Sequence, residues 1–266
     1  MLHPPPVSRE IPPYPEGHDL LAGKGVVITA AAGTGIGFAT AKRCAEEGAR
    51  VVISDHHERR LGEAADTIAT EVGERPHTIV CDVTDDVAVC ALVDGAAEAL
   101  GGIDVMVNNA GLGGEVDLVD MTDDQWDVVL DVTLNGTFRT TRAALRYMLP
   151  RGEGVIVNNA SVLGWRAQRG QAHYAAAKAG VMALTRCAAV EAADAGVRVN
   201  AVAPSLATHP FLTKVMADGL LEELEAKEAF GRGATPWEVA NVIVFLASDY
   251  SSYMTGEVVA VSSQHP

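Results

Sequence analysis

Short apolar runs rich in β-branched residues alternate along the chain with longer stretches whose apolar residues recur at helical spacing. The runs predict strands at 25–30, 50–54, 77–81, 103–108, 153–159, 197–202 and 257–261. The stretches between them predict helices at 35–47, 57–72, 85–100, 122–148, 170–193, 210–229 and 235–248. This alternation is typical of right-handed βαβ units. The sequence therefore predicts an α/β fold, a single-domain doubly wound parallel sheet of about seven strands with helices on both faces.

The first twenty residues break this pattern. Six of the twelve prolines fall among the first fifteen residues. Proline has a fixed φ and no N–H to donate, so this segment cannot form a helix or a central strand. We predict a proline-rich tail or extended arm over 1–20 and one domain over 21–266, with no internal repeat.

Charge, hydropathy and cysteine spacing argue against several kinds of binding partner. The formal net charge is −15, which repels a phosphate backbone and argues against nucleic acid. No run approaches the ~20 apolar residues that span a bilayer, and the start is no signal peptide, so we expect no membrane partner. The four cysteines show neither CxxC nor zinc spacing. The expectation is a cytoplasmic protein with reduced thiols and no metal.

A small-residue turn follows the first predicted strand and leads directly into a helix. Glycines in such a turn allow a pyrophosphate to approach the backbone, and the helix N-terminus offers free N–H groups. The turn is not GxGxxG, because Phe38 occupies the third position of that pattern, and an ordinary turn is the alternative. The candidate cofactor contacts are Gly33, Thr34, Gly35 and Ile36.

An acidic residue, Asp55, ends the second predicted strand twenty residues after Gly35. A carboxylate there can bind both ribose hydroxyls and repel a 2′-phosphate, which favours NAD over NADP. A cluster of basic groups follows and leaves NADP open, because a cation can receive that phosphate. Its members are His56, His57, Arg59 and Arg60.

Tyr174 and Lys178 lie four residues apart on a predicted helix, and Ser161 follows an apolar run thirteen residues upstream of the tyrosine. Residues at this spacing share one helix face. An ammonium beside a phenol is expected to lower the phenol's pKa, and a serine hydroxyl can hold a carbonyl oxygen. The three groups suit proton exchange with an alcohol oxygen. The alternative is an unrelated surface Tyr and Lys.

Five motifs follow one another in a fixed order: Gly33–Gly37, Cys81-Asp82-Val83, Asn108-Asn109-Ala110-Gly111, Ser161, and Tyr174 with Lys178. By these motifs the chain resembles the short-chain dehydrogenase/reductase superfamily over residues 22–261. The resemblance implies a Rossmann-type, dinucleotide-binding catalytic domain and an NAD(P)-dependent oxidoreductase that interconverts a ketone and a secondary alcohol.

The resemblance also implies residue roles. Asp82 would bond the adenine amino group and Val83 would cap that ring. Asn109, Ala110 and Gly111 would line the ribose and brace the central strand. Lys178 would hold the nicotinamide ribose, and Ser161 and Tyr174 would bond the substrate oxygen.

The chain departs from the family pattern in two places near this site. Thr133 stands where the family usually has an asparagine that carries a relay water, and Asn135 lies about 200° further round the helix. Either Thr133 holds that water or the relay differs. In the glycine turn, Ala30 occupies the place of the first glycine and one extra residue is present.

Substrate choice is expected in three segments, 112–119, 163–171 and 205–231. The last has apolar residues at helical spacing, which predicts either an apolar wall or a helix packed on the body. Trp165, Arg166 and Arg169 are candidate substrate contacts, because guanidinium groups bind carboxylate or phosphate. Solvated surface arginines are the alternative.

Three further segments are informative: Ala160–Gln168, Asp55–Arg60 and Gln264–Pro266. Together they resemble a narrower group, the actinobacterial reductases of steroid ring C/D breakdown that act on bicyclic indane CoA thioesters. The alternatives are a 3-oxoacyl-ACP or 3-oxoacyl-CoA reductase and a catalytically silent NAD(H)-binding regulator. Small residues along the predicted helix 170–193, together with the family resemblance, imply a homo-tetramer or a dimer.

Overall fold

The computed structural model describes residues 10–209 and 219–264. Within them, seven strands form one parallel sheet in the order β3-β2-β1-β4-β5-β6-β7. The strands are β1 (Gly25–Thr29), β2 (Arg50–Asp55), β3 (His77–Val80), β4 (Val105–Asn108), β5 (Gly154–Asn159), β6 (Val197–Pro204) and β7 (Val258–Val261).

Helices connect the strands and cover both faces of the sheet. They are α1 (Ile36–Glu46), α2 (Glu58–Val72), α3 (Asp86–Leu100), α4 (Asp123–Leu130), α5 (Gly136–Met148), α6 (Ala172–Ala192), α7 (Leu220–Glu225) and α8 (Pro236–Ala247). Short 3₁₀ turns occupy Leu149–Arg151, Val162–Gly164, Ala193–Ala195 and Asp249–Ser251. The predicted Rossmann-type α/β fold is confirmed.

The central strands β1, β2 and β4 are buried almost throughout. Burial on both faces explains why they appear in the sequence as continuous apolar runs rather than alternating ones. The strand order reverses between β1 and β4. Their carboxyl ends therefore diverge and open a crevice, the place where doubly wound sheets bind ligands.

The helix predicted over 122–148 is present from Asp123 to Met148, but it is not a regular α-helix throughout. A π-helical turn, Asp131–Asn135, separates α4 from α5. Thr133 on this turn is fully buried. The wider turn places its hydroxyl on the loop after β4, a tertiary contact that local helix propensity does not reveal.

The prediction of a helix over 210–229 is wrong at its C-terminal end. Residues 210–218 lie outside the described residues, and α7 ends at Glu225. Glu228 instead forms an antiparallel bridge with Gln264. This pairing uses backbone groups that a continuing helix would need for itself.

Residues 10–20 lie against α1 and α8. The Tyr14 hydroxyl donates to Glu46 at 2.7 Å, and its ring meets Trp237 edge-on at 5.4 Å. The buried carboxylate of Glu47 accepts from the backbone N–H groups of His18, at 2.8 Å, and Leu20, at 3.1 Å. The boundary at residue 20 stays a prediction.

Within residues 10–209 and 219–264, no helix combines the length and apolar character needed to cross a bilayer.

Candidate active site

A cavity of about 730 Å³ opens at the carboxyl ends of the strands. Its walls come from the loops after β1, β4, β5 and β6, from one face of α6, and from α7 and the C-terminal segment. The lining consists of Ile36, Asn109, Gly111–Glu115, Asn159–Leu163, Gln168, Gln171, Tyr174, Lys178, Pro204–Ala207, His209, Leu224 and Gln264.

Ser161, Tyr174 and Lys178 meet in this cavity. Ser161 begins the 3₁₀ turn after β5, and its Oγ accepts from Leu163 N at 3.2 Å. Tyr174 and Lys178 lie one turn apart on α6. The Lys178 Nζ donates to the carbonyl oxygen of Asn159 at 2.5 Å and lies 5.5 Å from the centre of the Tyr174 ring.

Burial controls the protonation of this group. Burial raises the pKa of Tyr174 to about 12, while the hydrogen bond with Ser161 acts in the opposite direction. Burial lowers the pKa of Lys178 to about 8. The net shift of the Tyr174 pKa is upward, because desolvation of the phenolate outweighs the contacts that oppose it, and a lowering of this pKa by Lys178 stays a prediction. The raised pKa favours the neutral form of the Tyr174 phenol at neutral pH.

Replacement of Lys178 by methionine is expected to change how stability depends on pH. An unfolded lysine keeps its proton up to its ordinary pKa of 10.5, whereas the folded one loses it near 8. Between these values unfolding takes up a proton, so the stability of the wild type rises relative to the variant by up to about 1.4 kcal/mol per pH unit. Urea unfolding of both proteins from pH 7 to 10 measures this. A constant difference across that range contradicts the prediction.

The Thr133 hydroxyl is committed to the loop after β4. It accepts from Leu112 N at 2.9 Å and donates to Leu112 O at 3.0 Å. Asn135 bonds the carboxylate of Asp131 at 3.1 Å on the exposed side of the turn. Thr133 therefore positions a wall of the cavity, and a relay through its hydroxyl stays a prediction.

The glycine turn has an open face and a crowded one. A Cβ added to Gly33 meets nothing within 4 Å, and at Gly35 the nearest atom is His209 Nε2 at 3.9 Å. At Gly37 it would collide with the carbonyl oxygen of Ala30 and come within 2.5 Å of Asn109 Nδ2. The open backbone of 33–36 fits a pyrophosphate, and Gly37 permits the close approach of α1.

Ala30 has a φ of 51°, in the left-handed region that favours glycine. This is the position of the missing first glycine of the family pattern. Ala30→Gly is expected to relieve strain of about 1 kcal/mol, partly offset by the greater freedom of the unfolded chain. Chemical denaturation measures the free energy of unfolding. Ala32→Gly is the control, because it adds the same freedom to the unfolded chain. Equal loss of stability in both variants contradicts it.

Asp55 is buried at the end of β2 and faces the glycine turn. Its carboxylate accepts from the backbone N–H of Ala32 at 3.3 Å and of His57 at 3.0 Å. Burial raises its pKa, and the bond from Ala32 and the neighbouring His56 and Arg60 oppose the rise. Arg59 instead pairs with Glu63 at 2.5 Å and is largely exposed.

The adenine candidates lie at the adjacent strand end. Asp82 accepts from the backbone N–H of Thr84 at 2.9 Å and from its hydroxyl at 2.8 Å, and these bonds lower its pKa. Val83 is buried, and a Cβ added to Gly136 would come within 2.7 Å of it. Val83 therefore packs on the start of α5.

Asn109 ties three strand ends together. Its Nδ2 donates to the carbonyl oxygens of Thr29, at 3.2 Å, and Ala30, at 3.0 Å, and its Oδ1 accepts from Asn159 at 2.9 Å. Ala110 N donates to the Thr29 hydroxyl at 3.1 Å. The brace expected from the resemblance is present. A Cβ added to the next residue, Gly111, would lie 3.3 Å from Lys178 Nζ, so this backbone adjoins the lysine.

Trp165, Arg166 and Arg169 are not among the described residues that line the cavity. Trp165 is exposed, Arg169 pairs with Asp117 at the surface, and Arg166 donates to the Gln264 side chain. Gln168, Gln171, His209 and Leu224 do line it; they lie within the segments predicted for substrate choice but were not singled out there as substrate contacts. Gln264, which also lines it, was named only in the C-terminal segment that resembles the narrower group. No local pattern marks these residues, because chain crossings distant in sequence bring them there.

Comparison with known proteins identifies the family. A family model described as enoyl-(acyl carrier protein) reductase matches residues 30–263. This chain is a short-chain dehydrogenase/reductase. Members of this family of oxidoreductases use NAD(P)H, and the open glycine turn, Asp55 and Lys178 fit such a cofactor.

Several individual proteins resemble this dehydrogenase/reductase along nearly its whole length. The (5R,7aS)-5-hydroxy-7a-methyl-1-oxo-2,3,5,6,7,7a-hexahydro-1H-indene-carboxyl-CoA reductase of Mycobacterium tuberculosis is 66% identical, over 94% of this chain and 96% of its own. A 3-oxoacyl-(acyl-carrier-protein) reductase of Thermotoga maritima is 40% identical, over 91% and 97%. The crystal structure of a short chain dehydrogenase from Mycobacterium smegmatis superimposes with a TM-score of 0.85 at 59% identity, over 97% and 99%.

Proposed function

We propose that this dehydrogenase/reductase interconverts a ketone and a secondary alcohol on a steroid-derived bicyclic CoA thioester. The observation that carries the reaction is the meeting of Ser161, Tyr174 and Lys178 in one cavity. Apolar side chains on its walls, Leu112, Leu163, Leu206 and Leu224, favour a hydrocarbon skeleton. The 66% identical relative that is named for an indene-carboxyl-CoA supports this substrate class.

When bound, a nicotinamide dinucleotide supplies or removes the hydride. In the reduction direction, the hydroxyls of Ser161 and Tyr174 hold the substrate's carbonyl oxygen and stabilise the charge that develops on it. Tyr174 then gives its proton to that oxygen, which its neutral state permits. Lys178, next to Asn159 and Gly111, stabilises the phenolate that remains and helps to restore its proton.

The substrate proposal is tested with purified protein and NADH by following absorbance. An indane-type bicyclic ketone carried as a CoA thioester is expected to be reduced with a higher kcat/KM than acetoacetyl-CoA. A higher kcat/KM with acetoacetyl-CoA favours the alternative, a 3-oxoacyl reductase, which is what the relative from Thermotoga is named. The silent regulator is set aside, because the chain belongs to an oxidoreductase family and holds the complete Ser, Tyr and Lys group.

NAD is the proposed cofactor, because Asp55 lies beside the glycine turn and its carboxylate would repel a 2′-phosphate. Asp55→Ser is expected to raise the ratio of kcat/KM with NADPH to that with NADH by about tenfold, since two like charges near ~4 Å cost at least about 1 kcal/mol. The matched control is Glu58→Ser, at an exposed acid three residues on. An equal change of the NADPH-to-NADH ratio in both variants contradicts the assignment of NAD selectivity to Asp55.

A homo-tetramer or dimer assembled through α6 is proposed as the working form. Ala176, Ala179 and Ala183 are exposed along this helix, and Gly180 lies close against Leu134 on the preceding π-helical turn. An exposed stripe of small residues permits the close approach of a second helix. Light scattering of the purified protein checks this, and a monomer at micromolar concentration contradicts it.

A further inference from the structure

The last described residues, Ser262–Gln264, form a strap that leaves the sheet after β7 and ends at the cavity. Gln264 is part of the cavity lining and forms an antiparallel bridge with Glu228. Beside it, Ala229 N donates to Ser263 O at 2.6 Å. The strap therefore has a fixed backbone path beside the substrate.

One buried carboxylate fastens this strap to a neighbouring wall. Glu228 is 3% exposed, and its Oε2 accepts from both the backbone N–H of Ser263, at 3.2 Å, and its hydroxyl, at 2.8 Å. Its Oε1 accepts from Leu206 N at 3.4 Å. Leu206 itself lines the cavity. Glu228 thus fixes the position of the strap relative to the loop after β6.

A guanidinium fastens the strap to the segment that follows β5. Arg166 donates from Nη1 to Gln264 Oε1, and its own backbone N–H donates to Val162 O at 3.0 Å. Val162 is the first residue of the 3₁₀ turn that Ser161 caps. Because Oε1 is occupied by a cation, the Gln264 carboxamide has one orientation, with Nε2 as its remaining donor. That donor has no partner among the described residues.

We propose that Gln264 determines specificity by donating a hydrogen bond from Nε2 to a second oxygen of the substrate, remote from the carbon that reacts. Arg166 and Glu228 are positioning residues that hold this donor in place. The substrate class is a bicyclic ketone with an additional carbonyl, and this part rests on the proposed function. An oriented amide in a cavity with apolar walls discriminates well, since an analogue without the acceptor leaves the donor unpaired.

Two neutral ketones test this without the CoA moiety. The first is 7a-methyl-octahydroindene-1,5-dione, and the second is the matched 5-ketone that lacks the carbonyl at position 1. In Gln264→Leu, kcat/KM for the dione is expected to fall by about tenfold, mainly through KM, the size of one lost hydrogen bond. For the monoketone it should change by less than about twofold.

The positioning residues are tested by the same ratio of kcat/KM values. Arg166→Met should lower the dione preference as much as Gln264→Leu, and the double variant should lower it no further, because both remove one interaction. Arg166→Lys should restore part of it. Arg169→Met is the matched control, an exposed arginine that pairs with Asp117 instead, and should leave the ratio unchanged.

Equal effects of Gln264→Leu on both ketones, or no effect on either, overturn the proposal. Calorimetry of the two ketones with the NADH-loaded protein gives the same preference without turnover, and a wild type that binds neither ketone also overturns it. Reduction of both ketones without reduction of the bicyclic CoA thioester contradicts the proposed physiological substrate only. The preference between the ketones then still decides the role of Gln264.

Discussion

Tyr174→Phe is expected to lower kcat by about a hundredfold to ten-thousandfold, the contribution of a positioned general acid. The phenol is held neutral by burial and bonded to Ser161, so the variant loses the proton donor but keeps the ring. Its volume and its packing beside Gly113 are nearly unchanged. Binding of NADH, followed by fluorescence, should therefore stay within about twofold of the wild type while turnover disappears.

The same change at Tyr253, which is fully exposed, provides the control and should leave kcat unaltered. A Tyr174→Phe protein that retains more than a tenth of wild-type kcat would show that the proton comes from another group. Loss of NADH binding in step with turnover would instead point to a collapsed site. The two measurements separate chemistry from folding.

Arg43→Met is expected to lower the free energy of unfolding by about 3–5 kcal/mol, the usual cost of breaking a buried ion pair on one side. Arg43 lies on α1 and Glu47 directly follows that helix; both are almost fully buried and are bonded to each other at 2.5 Å. The guanidinium also donates to Asn241 at 3.0 Å and to the carbonyl oxygen of Pro15 at 3.2 Å. Its removal leaves a buried carboxylate without its cation and loosens residues 10–20.

Urea unfolding measures this loss, and two further variants define its origin. Arg59→Met breaks an exposed pair with Glu63 and should cost less than about 1 kcal/mol. Adding Glu47→Gln to Arg43→Met should recover part of the lost stability, because the unpaired charge is then removed. A double variant that is less stable than Arg43→Met shows that the packing of Glu47 matters more than its charge.

The strands and the shared position of Tyr174 and Lys178 could be predicted because their signals are local. Buried parallel strands require unbroken apolar runs such as Val26–Ile28, and Tyr174 and Lys178 share a helix face by spacing alone. The roles of Arg166 and Gln264 could not be predicted in this way. They are 98 residues apart and meet only because β7 brings the chain end back to the cavity.

Protonation was the other limit of sequence reasoning. The motif places an amine near a phenol, and from that alone the phenol should become more acidic. Whether it does depends on how much water each group keeps, and here both pKa values move in the direction that burial dictates. Desolvation is a property of the assembled loops around α6, so no spacing of residues reveals it.

The π-helical turn between α4 and α5 has a consequence for how this segment tolerates change in length. Such a turn amounts to one residue inserted into an α-helix. Deleting a single residue from Asp131–Asn135 would allow one regular α-helix from α4 to α5. It would also rotate α4 and the loop before it by about 100° about the helix axis relative to α5. The Thr133 hydroxyl could then no longer bond the backbone of Leu112, and the loop after β4, beside Lys178, would lose this support. A shortened relative would have to secure that loop by some other side chain.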